Sequence, residues 1–204
     1  MTSIEMLKEF KVGIDKIDSD SYPEIYNEQI FMFINKAIDE LVNEGRRVFE
    51  KDQIITDNLK SLIPKLPAKI IPIKDDEYDV YYFNLDKELG YLFYINASIF
   101  TSVGKLSGKA GVDIVQHNDI NTLLVDPYNQ PKPYKVPVTF AKDTIVAYAS
   151  PVFKITSMLL TYVKQPATVS LTTNCDLEPQ LHYAIVDRAV TLAAVSLGMT
   201  NNKQ

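Results

Sequence analysis

The chain changes its hydrophobic period once in each direction. Ile4, Leu7, Phe10, Ile14 and Ile17 recur at helical spacing, which predicts an N-terminal helix capped by Ser3. The stretch SDSYPE interrupts it, and Pro23 suits the first turn of a second helix. In that helix Ile30, Ile34, Ala37, Ile38, Leu41 and Val42 form one stripe, with Val48 and Phe49 beyond. Lys36, Asp39, Glu40, Asn43 and Glu44 fill the other side. Gly45 falls inside this pattern, where a glycine costs about 1 kcal/mol relative to alanine, so it predicts a kink or a close neighbour. Ile54, Ile55, Leu59, Leu62 and Ile63 predict a third helix that Pro64, Pro67 and Pro72 forbid from continuing.

From about Lys69 the pattern becomes that of strands. KIIPI, YDVYYFNL, YLFYINASIF, VDIVQH, KVPVTF, TIVAYA, FKITSMLLTYVK and ATVSLT are rich in β-branched and aromatic residues. SVGKLSGKAG and DPYNQPKPYKVP read as turns, the second as an extended arm or edge. From about Leu177 to Leu197 the period is helical again, and apolar residues cover most of the circumference. Helices, then strands, then one helix is the α+β order. The expected architecture is a set of N-terminal helices, a central antiparallel β-sandwich or barrel-like domain, and a C-terminal helix packing back on the first ones. Residues 1–68 with 176–204 would form the helical domain and 69–175 the β-rich one.

Composition narrows the function. Of 204 residues 46% are hydrophobic and 23% charged, as in a folded globular protein. The net charge of −5 gives no basic face for gripping nucleic acid or anionic lipid. One cysteine cannot form an internal disulfide. No apolar run is long enough to cross a bilayer and the N-terminus lacks a signal-peptide core, which predicts a cytoplasmic product without a membrane role.

Chemistry-bearing residues are sparse. NCDLEPQLHYAIVDRAV gathers Cys175, His182, Asp176, Glu178 and Asp187, but it reads as a helix start. Asp176 is placed as N-cap, Glu178 complements the helix dipole, and Pro179 fits the first turn. His182 and Asp187 are five apart, a poor match to one helix face, and Cys175 reads as a small buried apolar residue. GKLSGKAG misses the phosphate-loop pattern: its first glycine is one residue too close and Ala110 replaces the hydroxyl. It reads as a flexible hairpin tip. His117 with Asp113, Asp119 or Asp126 lacks a third or fourth converging ligand, and the acidic run Asp75–Asp79 lacks calcium-loop spacing. No catalytic residue, cofactor or metal site is expected. The all-round apolar last helix and the Pro/Tyr segment point instead to a partner surface.

Four segments carry a family resemblance: IEMLKEFKVGID; FMFINKAIDELVNEGRRVFE with its Asn-Lys-Ala core; DPYNQPKPYKVP; and TYVKQPATVSL followed by CDLEPQLHYAIVDRAVTLA. In this order the chain resembles the head–tail connector (adaptor or ring) proteins of tailed bacteriophages, the ring-protein type of crAss-like phages. Asp126-Pro127-Tyr128 departs from the family's Asn-Pro-Phe. The resemblance implies a non-enzymatic virion protein that forms a ring, usually dodecameric, below the portal. Such a ring extends the DNA channel without sequence-specific binding and docks the tail, and it is present in the host cytoplasm before assembly. It implies interface roles for Tyr128, Pro131, Pro133 and Tyr134, as an arm on an adjacent subunit. It implies a contact role for Ile185, Ala189, Val190 and Leu192, in the subunit core or against a neighbour. Two other readings remain open. One is a surface β module binding carbohydrate or protein, with the tyrosines of YDVYYFNL and YLFYIN exposed as a platform. The other is a small hydrolase or nuclease using His117 with Asp113 or Asp119.

Overall fold

In the computed structural model, the described residues are 1–16, 25–49, 51–75, 79–85, 90–141 and 143–198. They form five α-helices and an eight-stranded, curled mixed sheet, an α+β fold. The chain divides into a helical unit, residues 1–63 with 165–204, and a β unit, residues 64–164. The segment from Gln165 to Cys175, expected among the strands, belongs to the helical unit.

In the helical unit, α1 spans Ser3–Asp15 and its cap is Thr2, one residue before the expected Ser3. The Thr2 hydroxyl accepts the Glu5 N–H while the Glu5 carboxylate accepts the Thr2 N–H at 2.7 Å, so each satisfies an orphan donor. Met6, Leu7, Phe10 and Ile14 are buried, whereas Ile4 is half exposed. The expected Ile17 and Pro23 positions lie outside the described residues. Helix α2 spans Asn27–Val48 and buries Ile30, Ile34, Ala37, Ile38 and Val42 of the predicted stripe, while Leu41 is half-buried. Helix α3, Gln53–Leu59, is capped by Asp52 and tightens into a 3-10 turn at Lys60–Leu62.

The last helix, α5, spans His182–Ser196 after a 3-10 turn at Pro179–Leu181. Pro179 sits in that first turn as expected, but Asp176 is not the N-cap. Both oxygens of its carboxylate lie 3.3 Å from the Ala167 N–H, across the loop. The helix buries Ile185, Val186, Ala189, Val190 and Ala193, packing against α1 and α2. Its remaining face is open, with Tyr183 and Val195 exposed, so it is not enclosed all round.

Two glycines set the helix spacing. A Cβ on Gly13 would stand 2.8 Å from Val190 Cγ2, so α1 and α5 touch through a bare backbone. A Cβ on Gly45 would stand 2.8 Å from Leu59 Cδ1, which makes Gly45 a close approach for α3. Arg188 ties α5 to α2: Nε donates to Glu40 at 2.9 Å, and the guanidinium fork donates to both Glu44 oxygens at 2.6 and 2.8 Å.

In the β unit the strands are β1 Ala68–Ile70, β2 Ile73–Lys74, β3 Val80–Asn84, β4 Tyr91–Val103, β5 Leu106–Ile114, β6 Lys135–Ala141, β7 Thr144–Tyr148 and β8 Lys154–Lys164. Their order across the sheet is β1-β8-β4-β5-β6-β7-β3-β2. The two edge strands are consecutive in the chain, separated only by Ile71 and Pro72. Three residue steps span at most about 11 Å, roughly two strand spacings. The sheet must therefore curl until its edges nearly meet, the barrel-like form of the expected architecture and not the sandwich. Bulges supply the curl: β4 and β8 shift register between Tyr91/Phe93, Tyr94/Asn96 and Phe100/Thr101. Inside the curl lie Phe83, Ile99, Val136, Val138, Ile145, Phe153, Met158 and Leu160, each worth about 1.5–3 kcal/mol on burial.

One pairing breaks the expected antiparallel order. β5 and β6 run parallel, Gly111 opposite Lys135. A parallel neighbour needs a crossover, and here it contains a short helix, α4, Ile120–Val125, absent from the sequence reading. ATVSLT forms no ladder, and GKLSGKAG is a two-residue turn at Gly104–Lys105 followed directly by β5. Gly104 has φ +58°, the left-handed conformation such turns favour.

Two outcomes test the helical packing. Gly13→Ala gains helix propensity but drives a methyl into Val190, whose β-branched χ1 is restricted in a helix, and the net effect is a loss of about 1–2 kcal/mol in urea unfolding. Adding Val190→Ala to Gly13→Ala then costs much less than Val190→Ala alone. The Arg188 fork holds the Glu44 carboxyl below its ordinary range, so its stabilisation is present above the unfolded carboxylate pKa and lost as pH falls through the folded one. The melting-temperature gap between wild type and Arg188→Met is therefore open at neutral pH and closes as the pH falls below the ordinary carboxylate range.

Candidate assembly surface

The residues that suggested chemistry are engaged structurally. His182 is buried, its Nε2 3.0 Å from the Leu177 carbonyl and its Nδ1 2.8 Å from the Met1 amine. A carbonyl only accepts, so Nε2 carries the proton and Nδ1 accepts from the amine. Cys175 is half-buried instead of fully buried, and burial pushes its thiol pKa up, the reverse of an activated nucleophile. His117 Nε2 lies 2.8 Å from the Phe140 carbonyl, and Asp113 pairs with Lys135 at 2.9 Å. Asp75 follows β2 and Asp79 precedes β3, and Asp79 pairs with Lys74 at 3.3 Å. Asp76, Glu77 and Tyr78 lie outside the described residues. Among the described residues no three His, Cys, Asp or Glu side chains converge as a metal site. Two clefts in the helical unit hold about 180 and about 110 Å³, below the roughly 300 Å³ at which small-molecule sites begin.

Among the described residues the tyrosine platform does not form: Tyr81 is buried, Tyr94 half-buried and Tyr82 alone exposed, while Tyr78 and the Tyr91 side chain lie outside the described residues. Tyr81 and Phe83 belong to the core inside the curled sheet, Phe93 is buried, and Ile95 is half-buried. The carbohydrate-binding reading loses the exposed aromatics it required.

The Pro/Tyr segment is folded onto its own sheet. Asp126 Oδ1 accepts the Tyr128 N–H at 2.9 Å and Oδ2 accepts the Asn129 amide at 2.7 Å, which holds its carboxyl below the usual range. Thr101 donates to the Pro133 carbonyl at 2.7 Å, and the Gly111 N–H donates to the Tyr134 carbonyl at 2.9 Å. Pro131 is buried and Pro133 half-buried, yet Tyr128 is 84% and Tyr134 66% exposed. The segment is thus a braced turn presenting two tyrosines, not an extended arm. Of the expected α5 residues, Ile185, Ala189 and Val190 are buried in the helical unit's own core and Leu192 is half-buried.

One residue that sequence reasoning passed over organises the helical unit. Asn35 on α2 accepts the Val169 N–H at 2.8 Å and donates to the Val169 carbonyl at 3.0 Å and the Phe31 carbonyl at 2.8 Å. Its amide takes the place of a strand partner for the extended chain at buried Val169. Asn174 acts similarly, accepting the Ser3 N–H at 2.8 Å. A polar side chain on a helix looks solvated in sequence, and only its position beside an unpaired backbone reveals the role.

These features define a two-unit α+β protein whose described surface offers tyrosines and aliphatics for contact, with its histidines tied to backbone carbonyls. The chain belongs to the family of crAss-like phage tail ring proteins: the family model described as phage tail ring protein 3/4 matches residues 1–204. No curated relative gives a significant match. The chain is therefore a phage structural protein of the ring type.

Asn35→Ala leaves the Val169 N–H and C=O without partners at a buried position, at a cost of about 1–3 kcal/mol. Hydrogen exchange at the Val169 amide should accelerate well beyond that of α2 amides; unchanged protection there would refute the clamp.

Proposed function

We propose that this chain forms one ring of the head–tail connector below the portal, extending the DNA channel and docking the tail. The observation that carries the reading is the family match along the whole chain. The exposed side chains support it: Tyr128 and Tyr134 on the braced turn, and Tyr183 and Val195 on α5, supply aromatic and aliphatic contact area of the kind enriched at protein interfaces. The fully buried Ile185, Ala189 and Val190 contribute by holding α5 in place beneath that surface. The net charge of −5 also fits a wall past which DNA slides, because a surface that neutralised phosphates would hold the duplex. In this reading the ring is a dodecamer, its partners are the portal and adjacent connector or tail proteins, and the chain passes through the host cytoplasm before joining the virion.

Native mass spectrometry of the full chain, alone and with its portal, tests this. The expected species is a closed ring with twelve copies. A chain that stays monomeric in the presence of the portal would overturn the reading, and a ring of another size would correct the stoichiometry alone.

A further inference from the structure

Strand β5 is paired on both sides in its second half and on one side in its first. It meets β4 from Leu106 to Gly111, whereas β6 joins it only from Gly111 onward. The two-residue turn makes Val103 and Leu106 a hydrogen-bonded pair, so alternate residues Ser107 and Lys109 turn their N–H and C=O groups away from β4. The same parity continues along the strand. The Gly111 N–H donates to the Tyr134 carbonyl and the Val115 N–H to the Val138 carbonyl, each at 2.9 Å. The edge at Ser107 and Lys109 is thus open among the described residues, and Val103 to Lys109 are all exposed.

The residues before β6 do not fill that edge, for a reason visible in the register. With Gly111 beside Lys135, a straight continuation of β6 would set Pro133 beside Lys109 and Pro131 beside Ser107. Neither proline has an N–H to add to a ladder. Instead Lys132 and Lys135 exchange backbone bonds of 3.0 Å each, and the chain turns off the line of the strand. The open stretch is apolar at its ends and basic between. Leu106, cross-strand from Val103, is 78% exposed, and Tyr134 at the other end is 66% exposed. Lys105 and Lys109 make no salt bridge among the described residues, and from Ile99 to Val112 the sequence holds no acidic residue. A Cβ on Gly108 would meet only Thr101 Oγ1, at 3.9 Å, so the chain's own packing leaves the face beside the edge uncovered.

We propose that this edge is a strand-addition site for an extended acidic segment of a partner protein, lying beside Leu106–Ala110 in line with β6. Ser107 and Lys109 each offer one N–H and one C=O. An extended peptide answers both kinds of group, and main-chain bonds of this sort carry strand addition. Phosphates only accept, and two lysines are few for a duplex, whose binding draws on many phosphate contacts. A second copy of the same edge would set lysine against lysine, the arrangement by which edge strands avoid one another. Side chains alternate along a strand, so acidic residues on the Lys109 face and apolar ones on the Leu106 face suit this edge together. The inference does not rest on the ring reading, because an isolated chain carries the same edge.

The test titrates the full chain with a short synthetic peptide of alternating valine and glutamate, read by fluorescence anisotropy and by hydrogen exchange. Binding should slow exchange at the Ser107 and Lys109 amides. A peptide with lysine in place of glutamate should bind about tenfold more weakly, and Lys105→Glu with Lys109→Glu should reverse that preference. Ser107→Pro removes an N–H that bonds nothing else among the described residues, so it should weaken binding about tenfold while the circular dichroism spectrum stays folded. Should that variant misfold, the valine–glutamate peptide N-methylated on its pairing side gives the same readout on wild type, and it should not bind. No binding of the valine–glutamate peptide to wild type would overturn the proposal. Equal binding of the lysine peptide, or of the N-methylated one, would do so too. Self-association of wild type that Ser107→Pro abolishes, without peptide binding, would make the occupant a second copy. Duplex DNA binding that the double-glutamate variant loses, again without peptide binding, would reassign the edge to DNA. Either result overturns the assignment and leaves the ring reading standing.

Discussion

The two-residue link between β1 and β2 constrains the β unit more than any other feature. An open sheet of eight strands is wide, and its edge strands stand far apart. Here they are neighbours in sequence, so Ile71 and Pro72 must bridge them. The chain satisfies this only if the sheet curls, and the curl makes an inside for Phe83, Ile99, Ile145 and Met158. Pro72 contributes directly, because it has no N–H and cannot extend the β1 ladder. The bulges between β4 and β8 provide the extra residues that a strongly bent antiparallel pair requires. Link, bulges and core are one solution to one geometric demand.

The helical unit follows a different logic, in which closeness is bought by removing side chains. Gly13 lets α1 lie on Val190, and Gly45 lets α3 lie on α2. Elsewhere polar side chains stand in for missing backbone partners. Asn35 pairs with both groups of Val169, Asn174 meets the Ser3 N–H, and His182 bridges Leu177 to the chain's amine. Most of these bonds connect segments distant in sequence, so residues 165–178 are anchored to α1 and α2 without regular structure of their own.

Function on this scaffold falls to what the two cores leave outside. Polar groups that could serve catalysis are committed to backbone hydrogen bonds or ion pairs, as with His182, His117 and Asp113. Tyr128, Tyr134 and the β4–β5 hairpin are exposed while the backbone beneath them is braced by Asp126, by Thr101 and by the β4 ladder. A contact surface on braced backbone loses little conformational freedom when a partner arrives.

The helices of the N-terminal third, the final helix, most strands and the α+β order were legible in the amino-acid pattern, because periods of 3.6 and 2 report which side of an element meets a core. GKLSGKAG was legible as a hairpin tip as well, since its glycine spacing departs from the phosphate-loop pattern. Other features lay beyond any local pattern. Helix α4 has six residues, too short to show a period, and the parallel β5–β6 pairing it permits is a fact about which strands meet. Asp176 looked like a cap because its neighbours are helical, but a 3-10 turn intervenes and the carboxylate faces Ala167. ATVSLT has the composition of a strand and yet meets an asparagine side chain in place of a sheet. Sequence by itself determined the kinds of element and the sides they bury, since those depend on neighbours a few residues away. Tertiary structure decided how the sheet closes, which polar groups serve as braces and which apolar side chains stay exposed, since these depend on parts of the chain that meet only in the fold, as Ala68 meets Leu160 and Asn35 meets Val169.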